Sequence, residues 1–348
     1  MSELSSRLER PALRDAFNRP IKDLRISVTD RCNFRCTYCM PLEEYVWIER
    51  TELLSFEEIN HLTRIFSGLG VEKIRITGGE PLVRKDLHRL IGMLSRIEGI
   101  RDICLTTNAS FLTDQIKDLA AAGLNRVNVS IDTLDRDKFK RITKRGDLDR
   151  VLEGLFAAKE LGLDPIKINA VIERGVNDED IIPLVEFSRE HGFSMRFIEY
   201  MDVGNANNWI SDKIVSKKEI LEKINARYPL REVGRVDGTA PSVDYEFTDG
   251  IGDIGVIASV TEPFCSSCTR ARLTADGKLV TCLFSNQGHD LKALMRSGAT
   301  DEQLIETINA IWFRRSDRYS DERLAAMKSP EGYQPKDHQK IEMITLGG

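Results

Sequence analysis

Six short runs rich in Ile, Val and Leu alternate with longer stretches of helical spacing between residues 24 and 201. The short runs, at 24–28, 73–77, 102–107, 126–131, 166–172 and 195–201, read as strands. The intervening stretches at 86–97, 113–122, 148–161 and 181–191 read as helices. An earlier helix opens at Ser55, whose Ser-x-x-Glu spacing to Glu58 is a capping box, and ends near Gly68 or Gly70. Strictly alternating units of this kind build a parallel sheet covered by helices. The expected fold class is α/β, an incomplete (β/α)6 TIM-type barrel followed by a C-terminal region. The strands finish in polar residues (Thr77, Thr106, Ser130, Asn169, Glu199). That end of an α/β barrel carries its chemistry.

The loop after the first strand lies on that same face. It holds Cys32, Cys36 and Cys39, three thiols within eight residues. One loop of this length wraps a single metal centre with three protein ligands. A [4Fe–4S] cluster normally takes four thiolates, so one iron is left open. An open coordination position marks a catalytic metal. A structural zinc site, or a cluster of buried thiols, is the other reading. Of seven cysteines, Cys104 stands alone in an apolar strand and reads as a small core residue.

The remaining three, Cys265, Cys268 and Cys282, form a second group. Asp276-Gly277 is a two-residue hairpin signal. It would set Ala275 opposite Lys278 and Ala271 opposite Cys282, returning Cys282 to the side of Cys268. Three thiols converge again, which suits a second [4Fe–4S] cluster with an open iron. The alternatives are zinc completed by His289, or unrelated core thiols. Arg270 and Arg272 occupy alternate positions and so share a face, where two guanidinium forks suit a polyanion.

Lys and Arg total 50 against 55 Asp and Glu, a net charge of −5. That is no general footprint for nucleic acid. No run approaches the roughly 20 apolar residues of a membrane span, and the first residues lack an apolar signal core. A cytoplasmic protein is expected, in which clustered thiols bind metal rather than pair. There is no GxxxxGK[ST] phosphate loop. The expected organisation is a surface arm over 1–20, the partial barrel over 21–201 and a separate smaller region over 202–348.

Four stretches together carry a resemblance. They are Asp30-Arg31-Cys32 through Cys39-Met40-Pro41, Ile76-Thr77-Gly78-Gly79-Glu80-Pro81-Leu82, Cys265 through Arg272 with Cys282, and Gly347-Gly348. From about residue 18 onward the chain resembles the GTP 3′,8-cyclases. These are the radical S-adenosylmethionine (SAM) lyases of the first step of molybdenum-cofactor biosynthesis. The resemblance implies two [4Fe–4S] clusters and SAM as cofactors. It implies that a 5′-deoxyadenosyl radical takes hydrogen from C3′ of GTP. The C3′ radical then adds to guanine C8, giving 3′,8-cyclo-7,8-dihydro-GTP. Implied partners are a flavodoxin- or ferredoxin-type reductant and a downstream cyclic pyranopterin monophosphate synthase. No nucleic acid or membrane is implied, and the chain would act as monomer or homodimer.

Carried onto this chain, Tyr38, Gly79, Ser130 and Met201, with Arg196, are the implied SAM contacts. Arg25, Arg75, Thr106, Lys167, Arg270, Ala271 and Arg272 are the implied GTP contacts. Cys32, Cys36, Cys39, Arg270 and Arg272 are the implied catalytic set. The Gly-Gly tail is slim enough to enter the active site. Two other readings stand beside this one: a second enzyme, a radical SAM enzyme that modifies peptides, and, from another class, an electron-transfer or structural metal protein with two metal sites and no turnover. Arg270 and Arg272 argue against the first. Three-ligand clusters argue against the second.

Overall fold

Alternation along each strand sorts the side chains before any helix packs. Leu24, Ile26, Ile74, Ile76, Leu105, Val127, Val129 and Ile168 are at most 1% exposed and join one apolar core. The residues between them, among them Arg25, Arg75, Thr106, Asn128 and Ser130, face the other way, onto a cavity. Each fully buried Leu or Ile contributes about 1.5–3 kcal/mol, so a one-residue slip in register is strongly opposed.

The computed structural model describes residues 13–330 and 332–347. Its first six strands are β1 (Asp23–Ser27), β2 (Lys73–Thr77), β3 (Asp102–Thr107), β4 (Arg126–Ser130), β5 (Lys167–Ile172) and β6 (Ser194–Glu199). They lie side by side in that order and all run parallel. Between them run α1 (Phe56–Gly68), α2 (Leu87–Leu94), α3 (Leu112–Ala121), α4 (Arg136–Thr143), α5 (Leu148–Glu160) and α6 (Ile181–His191). The Ser55–Glu58 capping box forms with both of its hydrogen bonds.

The chain after Glu199 adds α7 (Lys217–Asn225), β7 (Leu230–Gly234), β8 (Val243–Phe247), β9 (Asp253–Ile257), β10 (Arg270–Leu273) and β11 (Lys278–Val280). It ends in β12 (His289–Asp290), α8 (Leu291–Arg296), α9 (Asp301–Phe313), α10 (Tyr319–Met327) and α11 (Met343–Leu346). This segment is continuous with the sheet rather than packed on it as a separate body. β9 pairs parallel with β6, and β10 pairs parallel with β1. The twelve strands among the described residues form one sheet, with the C-terminal segment supplying both flanks.

Three further expectations need correction. Residues 1–12 lie outside the described residues, but 13–20 are no surface arm. Asp15 and Arg19 are buried, and Arg19 Nε donates to Asp15 Oδ2 at 2.6 Å. The hairpin between β10 and β11 turns on three residues, not two. Gly277 sits at φ 83°, and Thr274 N–H bonds Lys278 O at 3.0 Å. That is the three-residue loop with a left-handed final residue. It shifts the register by one, so Arg272 faces Val280 and Leu273 faces Leu279. Met201 lies past the end of β6 instead of closing it.

Candidate active site

The C-terminal ends of β1–β6, the cysteine loop and the segment after Glu199 enclose a cavity of about 310 Å³. All six clustered cysteines line it. So do Tyr38, Gly79, Ser130, Met201 and Arg196 of the expected SAM set. Arg25, Arg75, Thr106, Arg270 and Arg272 of the expected GTP set line it too. Lys167 opens instead on an adjoining cavity of about 120 Å³, which shares Arg25, Arg75, Arg196 and Arg270 with the first. Ala271 turns its side chain into the apolar core and lines neither cavity.

The loop of the first triplet is held by backbone. Arg35 N–H bonds Thr143 O at 2.9 Å and Thr37 N–H bonds Ile142 O at 3.0 Å, using carbonyls that the end of α4 leaves free. On the other side Gly79 N–H bonds Thr29 O at 2.7 Å and Glu80 N–H bonds Arg31 O at 2.8 Å. A Cβ on Gly78 would stand 2.7 Å from Thr29 O, and one on Gly79 would collide with the Arg31 carbonyl. These glycines therefore admit the cysteine loop itself. Arg35 stacks over Tyr45 and Trp47 and donates to the carbonyls of Cys32 and Phe34.

Glu80 is fully committed inside the protein. It accepts from Thr107 Oγ1 at 2.6 Å, Asn108 N–H at 2.7 Å and Leu82 N–H at 3.0 Å. Burial outweighs those bonds and raises its carboxyl to about 7. Tyr38 donates its hydroxyl to Asp132 at 2.9 Å. Burial pushes the thiols of Cys32 and Cys39 up to about 12, with the Glu80 charge adding at Cys32 and the Cys32 charge at Cys39.

Cys268 differs. Its Sγ accepts from Arg270 Nη2 at 3.2 Å, Arg270 Nε at 3.3 Å and Arg315 Nη2 at 3.2 Å. Burial raises this thiol, yet the two guanidinium groups outweigh it and bring it down to about 6. Arg315 is braced by Asp15 at 2.9 Å and also donates to Cys268 O. Arg19 donates to Cys265 O at 2.7 Å. Sequence reasoning missed Arg19 and Arg315, since each reaches the second triplet only through the fold.

Arg272, Arg25 and Arg75 stand in one row across β10, β1 and β2. Burial and then the neighbouring arginines lower Arg25 well below its usual value, and burial with Arg270 lowers Arg272 to about 10. The buried acids Glu80 and Glu199 are spent elsewhere. Glu199 accepts from the N–H groups of Lys217, Val260 and Thr261. Burial, then Arg196 and Arg126, lowers Lys167 to about 8. Arg196 itself pairs with Asp244 at 3.2 Å. Lys73 lines the smaller cavity, paired with Asp237 at 2.7 Å. It was also missed, although it shares the Arg75 face of β2 two residues away.

Met343 lines the main cavity, and a Cβ on Gly347 would collide with Thr77 Oγ1. Gly348 lies outside the described residues. Among the described residues no group of His, Cys, Asp or Glu side chains converges on a single metal ion. Three thiols in each triplet on one cavity are the donor type that an iron–sulfur cluster takes. His289 is exposed in β12 and lines neither cavity.

A profile described as the radical SAM superfamily matches residues 26–188, and one described as Molybdenum Cofactor Synthesis C matches 193–321. A GTP 3′,8-cyclase of Acidothermus cellulolyticus is 46% identical, over 97% of this chain and 99% of that protein. GTP 3′,8-cyclases of Staphylococcus epidermidis (44%; 97% and 99%) and Staphylococcus carnosus (45%; 96% and 98%) are similar. Among solved structures, Streptococcus suis SuiB bound to S-adenosylmethionine matches with TM-score 0.58 and 17% identity, over 88% of this chain and 68% of that one. That likeness concerns the fold. With sequence identity sustained over nearly the full length of these relatives, the chain belongs to the GTP 3′,8-cyclase family of the radical SAM superfamily.

Proposed function

We propose that this chain is a GTP 3′,8-cyclase, converting GTP to 3′,8-cyclo-7,8-dihydro-GTP with SAM as radical source. The observation that carries the reading is the row Arg272–Arg25–Arg75, without carboxylate partners among the described residues, lying on a cavity bordered by both cysteine triplets. A buried cationic row calls for an anion, and a triphosphate supplies one.

Cys32, Cys36 and Cys39 would hold the first cluster, and Cys265, Cys268 and Cys282 the second. The first cluster would supply the one-electron reduction of SAM that yields a 5′-deoxyadenosyl radical. Tyr38, Gly79, Ser130 and Met201 bound the space for SAM. Arg25, Arg75, Lys167, Arg270 and Arg272 hold the phosphates, with Thr106 beside them and Arg196 at the junction of the two cavities. Residues 21–201 form the radical-generating part and 202–348 the substrate-holding part. A flavodoxin- or ferredoxin-type protein delivers electrons in the cytoplasm, and a cyclic pyranopterin monophosphate synthase takes the product.

Anaerobically reconstituted protein should bind about eight irons per chain, two cubanes of four. Given SAM, GTP and reductant, it should release 5′-deoxyadenosine and a product of the cyclised mass. Four irons with one zinc would remove the second cluster, and no GTP-dependent product would remove the substrate.

A further inference from the structure

β4 sends Val127 and Val129 into the apolar core and turns Asn128 and Ser130 to the main cavity. Asn128 is only 4% exposed, and its Oδ1 has no hydrogen-bond partner among the described residues. Buried acceptors are almost always paired, by protein, water or ligand. The neighbours in register are Thr106 on β3 and Lys167 on β5. Thr106 already receives Arg75 Nη1 at 3.3 Å. The carboxamide is thus built into the wall of a ligand cavity with an acceptor left free.

An acceptor selects its ligand by the donors the ligand carries. Phosphate oxygens near neutral pH offer none, and a cluster sulfide offers none. A ribose hydroxyl does. SAM and a nucleotide both carry one, but the place of Asn128 favours the nucleotide. Ser130 lies one step nearer the cysteine loop, whereas Asn128 shares its rung with Thr106 and Lys167, on the phosphate side. Thr106 and Lys167 both belong to the proposed GTP contacts, which leaves a donor of the nucleotide rather than of SAM for Asn128.

We propose that Asn128 is a specificity-determining residue whose Oδ1 accepts a hydrogen bond from a ribose hydroxyl of the nucleotide substrate. The inference rests on GTP as substrate. Anchoring a hydroxyl at or beside C3′ fixes which hydrogen faces the radical, and it distinguishes ribonucleotides from deoxyribonucleotides.

The test is calorimetric binding to reconstituted holoenzyme of GTP, 2′-deoxy-GTP, 3′-deoxy-GTP and SAM. Wild type should bind one of the two deoxy nucleotides about fivefold more weakly than GTP, the worth of one hydrogen bond. Asn128→Leu should bind GTP as weakly as that analogue and no longer tell them apart. Asn128→Asp keeps an acceptor and should keep the discrimination. SAM affinity should be the same in all three proteins. If Asn128→Leu fails to load iron, Asn128→Ala takes its place. A truncation variant that still discriminates overturns the proposal, and so does one that loses SAM affinity while GTP affinity holds. Wild type that binds no GTP would overturn the substrate assignment instead.

Discussion

Cys268 keeps its thiol acidic because Arg270 and Arg315 stand against it. The linkage sign follows. With a folded value of about 6 against 9.0 for a free thiol, Cys268 stabilises metal-free protein above pH 9. That contribution fades as pH falls from 9 to 6. Arg270→Ala should flatten the stability of metal-free protein across this window, measured by urea unfolding, and raise the thiolate titration seen by ultraviolet absorbance. An unchanged titration would assign the acidity to another group. Arg25 poses the opposite bargain, since it is crowded by like charges without a ligand. Arg25→Gln should raise the stability of nucleotide-free protein by about 1 kcal/mol while weakening GTP binding about tenfold. A variant that binds GTP normally would release Arg25 from the phosphate site.

At the scale of elements, the glycine turn after β2 and the cysteine loop after β1 are one ladder extended past the strand ends. Gly79→Ala should therefore cost about 1–3 kcal/mol through overpacking and abolish SAM binding even in reconstituted protein. Chemical denaturation and a SAM titration read the two effects; normal stability would show that the loop can yield. Sequence pattern made the central strands legible, because Ile, Val and Leu alternate with the cavity residues. It did not reveal α4, whose Arg136-Asp-Lys-Phe-Lys-Arg is mostly charged and which buries only Phe139, Ile142 and Thr143. The hairpin register was off by one because Asp-Gly also suits a three-residue turn when Gly277 takes the left-handed position. The six cysteines were visible from spacing alone. The braces Arg19 and Arg315 were not, because they stand 246 and 47 residues from the cysteines they reach and meet them only through the fold.

The whole molecule is closed by a charge network around Asp202, which is 1% exposed. It accepts from Tyr319 at 2.6 Å and from Tyr333 and Arg323, and it pairs with Lys340 at 3.2 Å. Through Lys340 the network straps the segment that carries Met343 and Gly347 to the cavity. Asp202→Ala should cost about 3–5 kcal/mol by stranding two buried cations and should speed hydrogen exchange over 340–347. Unaltered exchange there would detach the strap from the tail. The flanks of the sheet carry a different consequence, one for synthesis. A ribosome that has finished residue 201 has made six strands whose two outer members, β1 and β6, still lack β10 and β9. Bare parallel edges invite aggregation. The fragment 1–201 should collect in the insoluble fraction, and a soluble monodisperse fragment would refute this. Premature termination before residue 270 then leaves debris for proteases rather than a radical source with no nucleotide to act on.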